Sequence, residues 1–182
     1  HDIGFVGHDW IRELGLDGPD SDLVQVKDLG FNPVRIVAAA PDHLVRDGKL
    51  IAEGTVVVAS EYEKLAAEYL KKQNYPFKLV KTFGATEALP PEDADVIIDN
   101  TSTGATLASN RLIIIDELMR STTRLVAHRG VLEDPVKKAK LDRLMMLVES
   151  VLAARSRVMV EMNVDAEHLE KLLDGLPSMM AP

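Results

Sequence analysis

Apolar positions recur along this chain with two periods, and the alternation between them sets out most of its architecture. Short runs rich in β-branched residues read as strands: "VRIVAAAP" (34–41), "GTVVVAS" (54–60), "FKLVKTF" (77–83), "DADVIIDN" (93–100), "NRLIIIDEL" (110–118) and "TRLVAHR" (123–129). An earlier run, Ile3 to Val6, has the same character. Helical spacing takes over in "SEYEKLAAEYLKKQ", where Leu65, Ala66, Tyr69 and Leu70 share a face and Ser60 and Glu63 match the S-x-x-E capping box. A longer helix is signalled by Asp134 as N-cap and Pro135 at the first helical position, with Leu141, Leu144, Met145, Val148, Val151 and Leu152 on one stripe. That stripe, with the Met145–Met146 pair, reads as core or as a subunit contact.

Strands separated by helices indicate an α/β protein with parallel or mixed sheets flanked by helices. Residues 36–122 hold a strand–helix–strand run of their own and form a second lobe, entered and left through extended crossings near Val34 to Val37 and Thr123 to Val126. Residues 1–35 and 123–156 then make the first lobe, and a cleft between two lobes is a common place for a ligand. From residue 157 onward an alternating segment (Val158, Val160, Met162, Val164) predicts one strand, followed by a helix over Ala166 to Leu173. One strand and one helix cannot close a sheet. Because a strand is already under way at the third residue and there is no initial methionine, truncation at both ends, or loss of a partner domain, is expected.

Composition narrows the function. Of 182 residues 46% are apolar, enough for a real core, and seven methionines against one tryptophan make that core aliphatic. A formal net charge of −8 argues against a general nucleic-acid surface, which needs clustered Lys and Arg. The absence of cysteine excludes disulfides and thiolate metal sites and suits a reducing cytoplasm. No apolar run approaches the roughly 20 residues that span a bilayer, so the sequence predicts a soluble cytoplasmic protein without a membrane partner.

The segment most suggestive of chemistry is "DNTSTGATL", residues 99–107. It follows the apolar run Val96-Ile97-Ile98 and leads toward a helix, whose free N–H groups and positive dipole end suit an anion. Gly104 permits positive φ or close backbone approach, while Ser102, Thr103 and Thr106 add hydroxyls. Equally, Ser, Thr, Asn and Gly are what turns and helix caps use. The loop matches neither the G-x-x-x-x-G-K-[ST] phosphate loop nor G-x-G-x-x-G. His8 and His128 lack a second ligand at metal spacing and receive no role, and Ser60 reads as a helix cap.

"DNTSTGATLASNRL" resembles the ribose-phosphate loop of the ATP phosphoribosyltransferase family. In order along the chain, "DIGFVGHDWIRE", "VVVASEYEKLAAEYLKK" and "GATEALP" resemble further segments of that family, and "VMVEMNVDAEHLEKLLDGLPSMMAP" resembles the start of the long form's carboxyl-terminal regulatory domain. The resemblance implies a two-lobed, type II periplasmic-binding-protein-like core followed by the beginning of a ferredoxin-like α+β domain. It implies transfer of phosphoribosyl from 5-phosphoribosyl 1-pyrophosphate (PRPP) to N1 of ATP, with release of pyrophosphate and with Mg²⁺ required, as the first step of histidine biosynthesis.

By the same resemblance Asp99 holds the ribose hydroxyls. Ser102, Thr103, Gly104, Ala105 and Thr106 hold the 5-phosphate through amides and hydroxyls. Asp9 and Glu87 face the cleft near ATP, although from the residues alone Asp9 reads as well as a helix N-cap and Glu87 as a solvated turn residue. Mg²⁺ contacts mainly pyrophosphate and water, with no protein metal site assigned. Family partners are further copies of the chain, as dimers or hexamers, and histidine as feedback inhibitor where the regulatory domain is complete. Two rivals stand beside this reading: a two-lobed module that captures a small anion without chemistry, and a phosphoribosyltransferase for another base, whose loop usually follows two adjacent acids rather than Asp99 alone.

Overall fold

A computed structural model describes residues 2–51, 53–73, 76–155, 157–158 and 161–175. In chain order the elements are β1 (Ile3–Gly7), α1 (His8–Glu13), β2 (Leu23–Asp28), β3 (Val34–Pro41) and a small hairpin of β4 (Val45–Arg46) and β5 (Lys49–Leu50). Then come β6 (Val56–Ser60), α2 (Glu63–Leu70), β7 (Phe77–Lys81), β8 (Val96–Thr101), α3 (Ala105–Ser109), β9 (Leu112–Ser121) and β10 (Thr123–His128). The helices α4 (Arg129–Glu133), α5 (Pro135–Arg155) and α6 (Leu169–Gly175) follow.

Two sheets carry the fold. One has three antiparallel strands in the order β1-β10-β2; the other is mixed, in the order β7-β6-β8-β3-β9. In the mixed sheet β6 runs parallel to β7 and β8, whereas β3 runs antiparallel to β8 and β9. The alternation of a strand's side chains explains how β3 serves two layers. Ile36, Ala38 and Ala40 pack with Leu65, Ala66 and Leu70 of α2, while Val37 and Ala39 pack with Leu107 of α3 and Leu112 of β9. The chain passes between the sheets where β2 gives way to β3 and where β9 gives way to β10. There Thr123 N–H donates to the Phe31 carbonyl and Leu29 N–H to the Thr123 carbonyl, both at 3.0 Å.

The chain divides into two compact units, His1–Leu141 and Asp142–Pro182, with the boundary inside α5. Asp134 caps that helix as its sequence predicts, accepting from Val136 N–H at 2.8 Å and Lys137 N–H at 3.1 Å. Leu141 is buried, but Val151 is exposed and the other stripe residues are half-buried. Met146 and Leu147 on the same helix are exposed.

Two local expectations are corrected. Ser60 and Glu63 do not form a capping box: Ser60 belongs to β6, and its hydroxyl, wholly buried, accepts from Tyr62 N–H at 2.9 Å and donates to the Ile98 carbonyl at 2.6 Å. The free N–H groups of α2 are met instead by Glu13, whose two carboxylate oxygens accept from Lys64 and Leu65 at 2.9 and 3.0 Å. Nor do residues 157–158 and 161–165 form the strand that their alternation predicts, since they carry no regular structure; Met159 and Val160 lie outside the described residues. The helix expected at Ala166 to Leu173 is a short 3₁₀ turn, Ala166–His168, running into α6. Sequence reading also passed over β2, whose Leu-Val-Gln-Val-Lys-Asp run follows a stretch dense in Gly, Pro and Asp.

Candidate active site

At the carboxyl end of β8 the chain turns through Ser102 and Thr103 into Gly104, the N-cap of α3. Gly104 sits at φ +83°, ψ 0°, the left-handed region that only glycine enters without cost. Its N–H donates to Thr101 Oγ1 at 3.0 Å, and Ala105 N–H to Thr103 Oγ1 at 3.3 Å. These turns satisfy two of the loop amides internally. Among the described residues, no protein acceptor serves the N–H groups of Ser102, Thr103, Thr106 and Leu107. All four residues line a cavity of 310 Å³, together with Ala105, Thr101, Asn100, Asp99 and Glu87.

Glu87 reaches this cavity from a distant part of the sequence because of how its turn is built. Gly84 and Ala85 both take positive φ, +101° and +51°, and start a 3₁₀ turn over Thr86–Ala88. Thr86, buried in the core, shares a hydrogen bond of 2.8 Å with Thr82, which fixes the turn beside the loop. Burial pushes the Asp99 carboxyl up to about 6; its bond from the Asn100 amide opposes this, and the nearby charges of Glu87 and Glu61 add to it. The site therefore combines free amide donors and hydroxyls with carboxylates that gain from a cation or from hydroxyl donors. Arg35 comes near Gly104, its Nη2 4.0 Å from where a Cβ would stand, and it pairs loosely with Glu117 at 3.5 Å.

Asp9 takes a different position from both readings of the sequence. The N-cap of α1 is Gly7, not Asp9. The Asp9 side chain is only 4% exposed; Oδ1 accepts from Ser121 Oγ–H at 2.5 Å, and Oδ2 accepts from the Tyr62 hydroxyl at 2.8 Å. It folds back over Gly7 so closely that a Cβ there would collide with Oδ1, which is the physical reason for glycine in "VGHD". Asp9 does not line the loop cavity. It connects to it through Tyr62, whose hydroxyl accepts from Asn100 Nδ2 at 3.2 Å. Tyr62 and Asn100 are the functional candidates that sequence reading missed: the first reads as packing and the second as a turn residue.

A larger cavity, 720 Å³, lies beside the three-stranded sheet and contains none of the expected site residues. Its lining is mostly apolar, from Ile3, Leu16, Leu23 and Val126 among others. His8 is half-buried, and burial, with Arg124 and Arg12 near it, holds its imidazole below the ordinary histidine range.

Residues 1–151 match the family model described as ATP phosphoribosyltransferase. The chain belongs to the ATP phosphoribosyltransferase family. It is 34% identical to the ATP phosphoribosyltransferase of Prosthecochloris aestuarii over 186 residues and 36% identical to that of Methanocaldococcus jannaschii over 183. Both alignments cover the whole of this chain, which spans 61% and 62% of those relatives. Among solved structures, the Thermotoga maritima ATP phosphoribosyl transferase (HisG:HisZ) complex is similar with a TM-score of 0.69 and 27% identity, over 84% of this chain and 71% of that one. The Bordetella pertussis BvgS periplasmic domain, at TM-score 0.52 and 18% identity over 84% of this chain and 28% of that one, shares the fold alone. The α/β core with its mixed sheet thus has the fold of the Thermotoga maritima enzyme complex, a fold that the BvgS domain shares.

Proposed function

We propose that this chain contributes the phosphoribosyl-binding half of an ATP phosphoribosyltransferase, in which PRPP gives its phosphoribosyl group to N1 of ATP and pyrophosphate leaves. The observation that carries this reading is the cavity at the end of β8, where the unpartnered amides of Ser102, Thr103, Thr106 and Leu107 meet the Asp99 carboxylate. Family membership supplies the reaction.

The residues fit their roles as follows. The free amides and the hydroxyls of Ser102, Thr103 and Thr106 hold the 5-phosphate, with Gly104 keeping the turn tight and Ala105 presenting no bulk. Asp99 accepts hydrogen bonds from ribose hydroxyls. No protein nucleophile is required, because pyrophosphate is a competent leaving group and the ribosyl carbon passes through a cationic state, so catalysis is positioning and charge stabilisation. The donor set suits Mg²⁺: Asp99 and Glu87 are the one or two carboxylates that this ion accepts when phosphates and water supply the rest. Bound there, Mg²⁺ would offset the charge of the pyrophosphate. Asp9 acts on the nucleotide side from beneath the surface, as the anchor of Tyr62.

The sheets suggest the division of labour: residues 1–35 and 123–156 as the first lobe, 36–122 as the second, and 157–182 as the beginning of a ferredoxin-like regulatory domain that binds histidine. The last of these rests on resemblance to the long form. Assembly into dimers or hexamers and a cytoplasmic location belong to the same proposal; no helix among the described residues is long and apolar enough to cross a membrane. The binding-module alternative is not favoured, because the likeness to BvgS is one of fold without family.

Calorimetric titration of the chain with PRPP and Mg²⁺, followed by assay of pyrophosphate release with ATP, tests the proposal. Saturable PRPP binding that is weakened, with phosphate binding retained, in Asp99→Ala is the expected result. A folded chain that binds no PRPP would overturn the assignment of the loop.

A further inference from the structure

Asp99 does not stand alone at the edge of the cavity. Its Oδ1 accepts from the Asn100 backbone N–H at 2.7 Å and from Asn100 Nδ2 at 3.3 Å. The same Nδ2 group donates its other hydrogen to the Tyr62 hydroxyl at 3.2 Å, and that hydroxyl donates to Asp9 Oδ2 at 2.8 Å. Ser121 closes the chain by donating to Asp9 Oδ1 and receiving Asp9 N–H at 3.0 Å. Each donor direction is forced. An amide NH₂ can only donate, an ionised carboxylate can only accept, and the phenol, accepting from Asn100, must give its own proton to Asp9.

We propose that Tyr62 is a positioning residue that, through Asn100, holds the Asp99 carboxylate in the orientation that receives the ribose hydroxyls. The inference rests on the phosphoribosyl reading above and adds a residue to it. Tyr62 is suited to the task because it cannot move. It is 1% exposed, its backbone N–H is held by Ser60 Oγ, and its ring leans on Trp10 with centroids 5.0 Å apart. Asn100, by contrast, is exposed on β8, and its side-chain amide is held between this phenol at 3.2 Å and Asp99 at 3.3 Å. Burial together with the Asp9 bond pushes the phenol well above its ordinary range, so it stays a neutral donor at any pH the protein meets. A fixed post thus sets a flexible amide, which sets the acid. Cutting one link of such a hydrogen-bonded chain, buried at its Tyr62–Asp9 end and exposed at Asn100, affects the groups beyond it.

The experiment titrates the chain with ribose 5-phosphate and, separately, with inorganic phosphate, which uses the loop amides but offers no sugar hydroxyls. Tyr62→Phe is expected to weaken ribose 5-phosphate by about tenfold, the scale of one lost hydrogen bond to a charged group, and to leave inorganic phosphate unchanged. In the Asp99→Ala background the same substitution should cost nothing further, since the partner through which Tyr62 acts is gone. Asn100→Ala cuts the chain at an exposed link and should reproduce the pattern even where Tyr62→Phe disturbs folding. Equal weakening of both ligands, undiminished sugar binding, or a full effect persisting without Asp99 would each overturn the inference. Failure of the unaltered chain to bind either ligand would instead overturn the phosphate-site reading itself, and this inference with it.

Discussion

Glu13 caps helix α2 from another part of the molecule, its carboxylate accepting the backbone N–H of Leu65 at 3.0 Å across 52 residues of sequence. The second oxygen serves Lys64, so one side chain from the end of α1 meets two free donors and also complements the positive end of the helix. Glu13→Ala should therefore lower stability by about 1–2 kcal/mol, whereas Glu63→Ala, a substitution in the expected capping box, should lower it by well under that. Denaturant melts of the two variants compare the costs directly. Equal losses would mean that the cap at Glu13 carries no special weight.

Asp9→Ala removes the acceptor from two hydroxyls, Ser121 and Tyr62, in a region that is almost closed to water. Leaving buried donors unmet costs about 1–3 kcal/mol each, so the variant should lose about 2–6 kcal/mol in thermal or urea unfolding. Asp9→Asn should lose less, because its amide oxygen still accepts one hydroxyl. If Asp9 instead served only a bound nucleotide, both variants would melt like the parent protein.

Sequence reached some features of the site and not others, for reasons of distance. The loop at 99–107 is legible because small hydroxyl residues and glycine cluster directly behind an apolar strand, and each acts on its near neighbours. Asp134 is legible for the same reason: cap and capped amides are two and three residues apart. Tyr62 and Glu13 are not, because their partners lie 38 to 53 residues away and are brought close only when α1 meets α2 and β6 pairs with β8. Ser60 shows how a local rule can mislead. Its S-x-x-E spacing is real, but pairing draws it into β6, where its hydroxyl meets Ile98 of the neighbouring strand. The strand expected over 158–164 is absent from its described residues, 158 and 161–164, for a different reason: alternation makes a strand only when a neighbouring strand accepts its hydrogen bonds, and these residues pair with none.

Gly104→Ala separates backbone conformation from bulk. A Cβ at this position would meet Ile114 Cδ1 at 3.8 Å and Arg35 Nη2 at 4.0 Å, ordinary contacts that exclude nothing. The cost comes from φ +83°, where an L side chain is disfavoured by about 1–2 kcal/mol. The variant should lose that much stability and bind inorganic phosphate more weakly, as the turn opens and the N–H of Thr106 shifts. Gly104→Val, β-branched, should lose more on both counts. Unchanged phosphate affinity in a variant with lowered stability would detach the turn from the binding site.

Asp99 gives the chain an opposed pH dependence of stability and binding. Its carboxyl is pushed up to about 6 by burial, with the acids Glu87 and Glu61 contributing, above its usual value of 3.8. Between these two values the folded state holds more protons than the unfolded one, so stability falls as pH rises through that window and levels off above about 6. Asp99→Asn carries no such charge: its melting temperature should match the parent's near pH 4, exceed it increasingly up to about pH 6, and stay above it by a constant margin at higher pH. Binding runs the other way, because only the ionised acid accepts two ribose hydroxyls well. Ribose 5-phosphate affinity should rise more steeply with pH in the parent than in Asp99→Asn, a difference that isolates Asp99 because the phosphate's own ionisation, near pH 6, is common to both. A parallel pH profile in the two proteins would show that the carboxylate is not a ribose ligand, whatever its effect on stability.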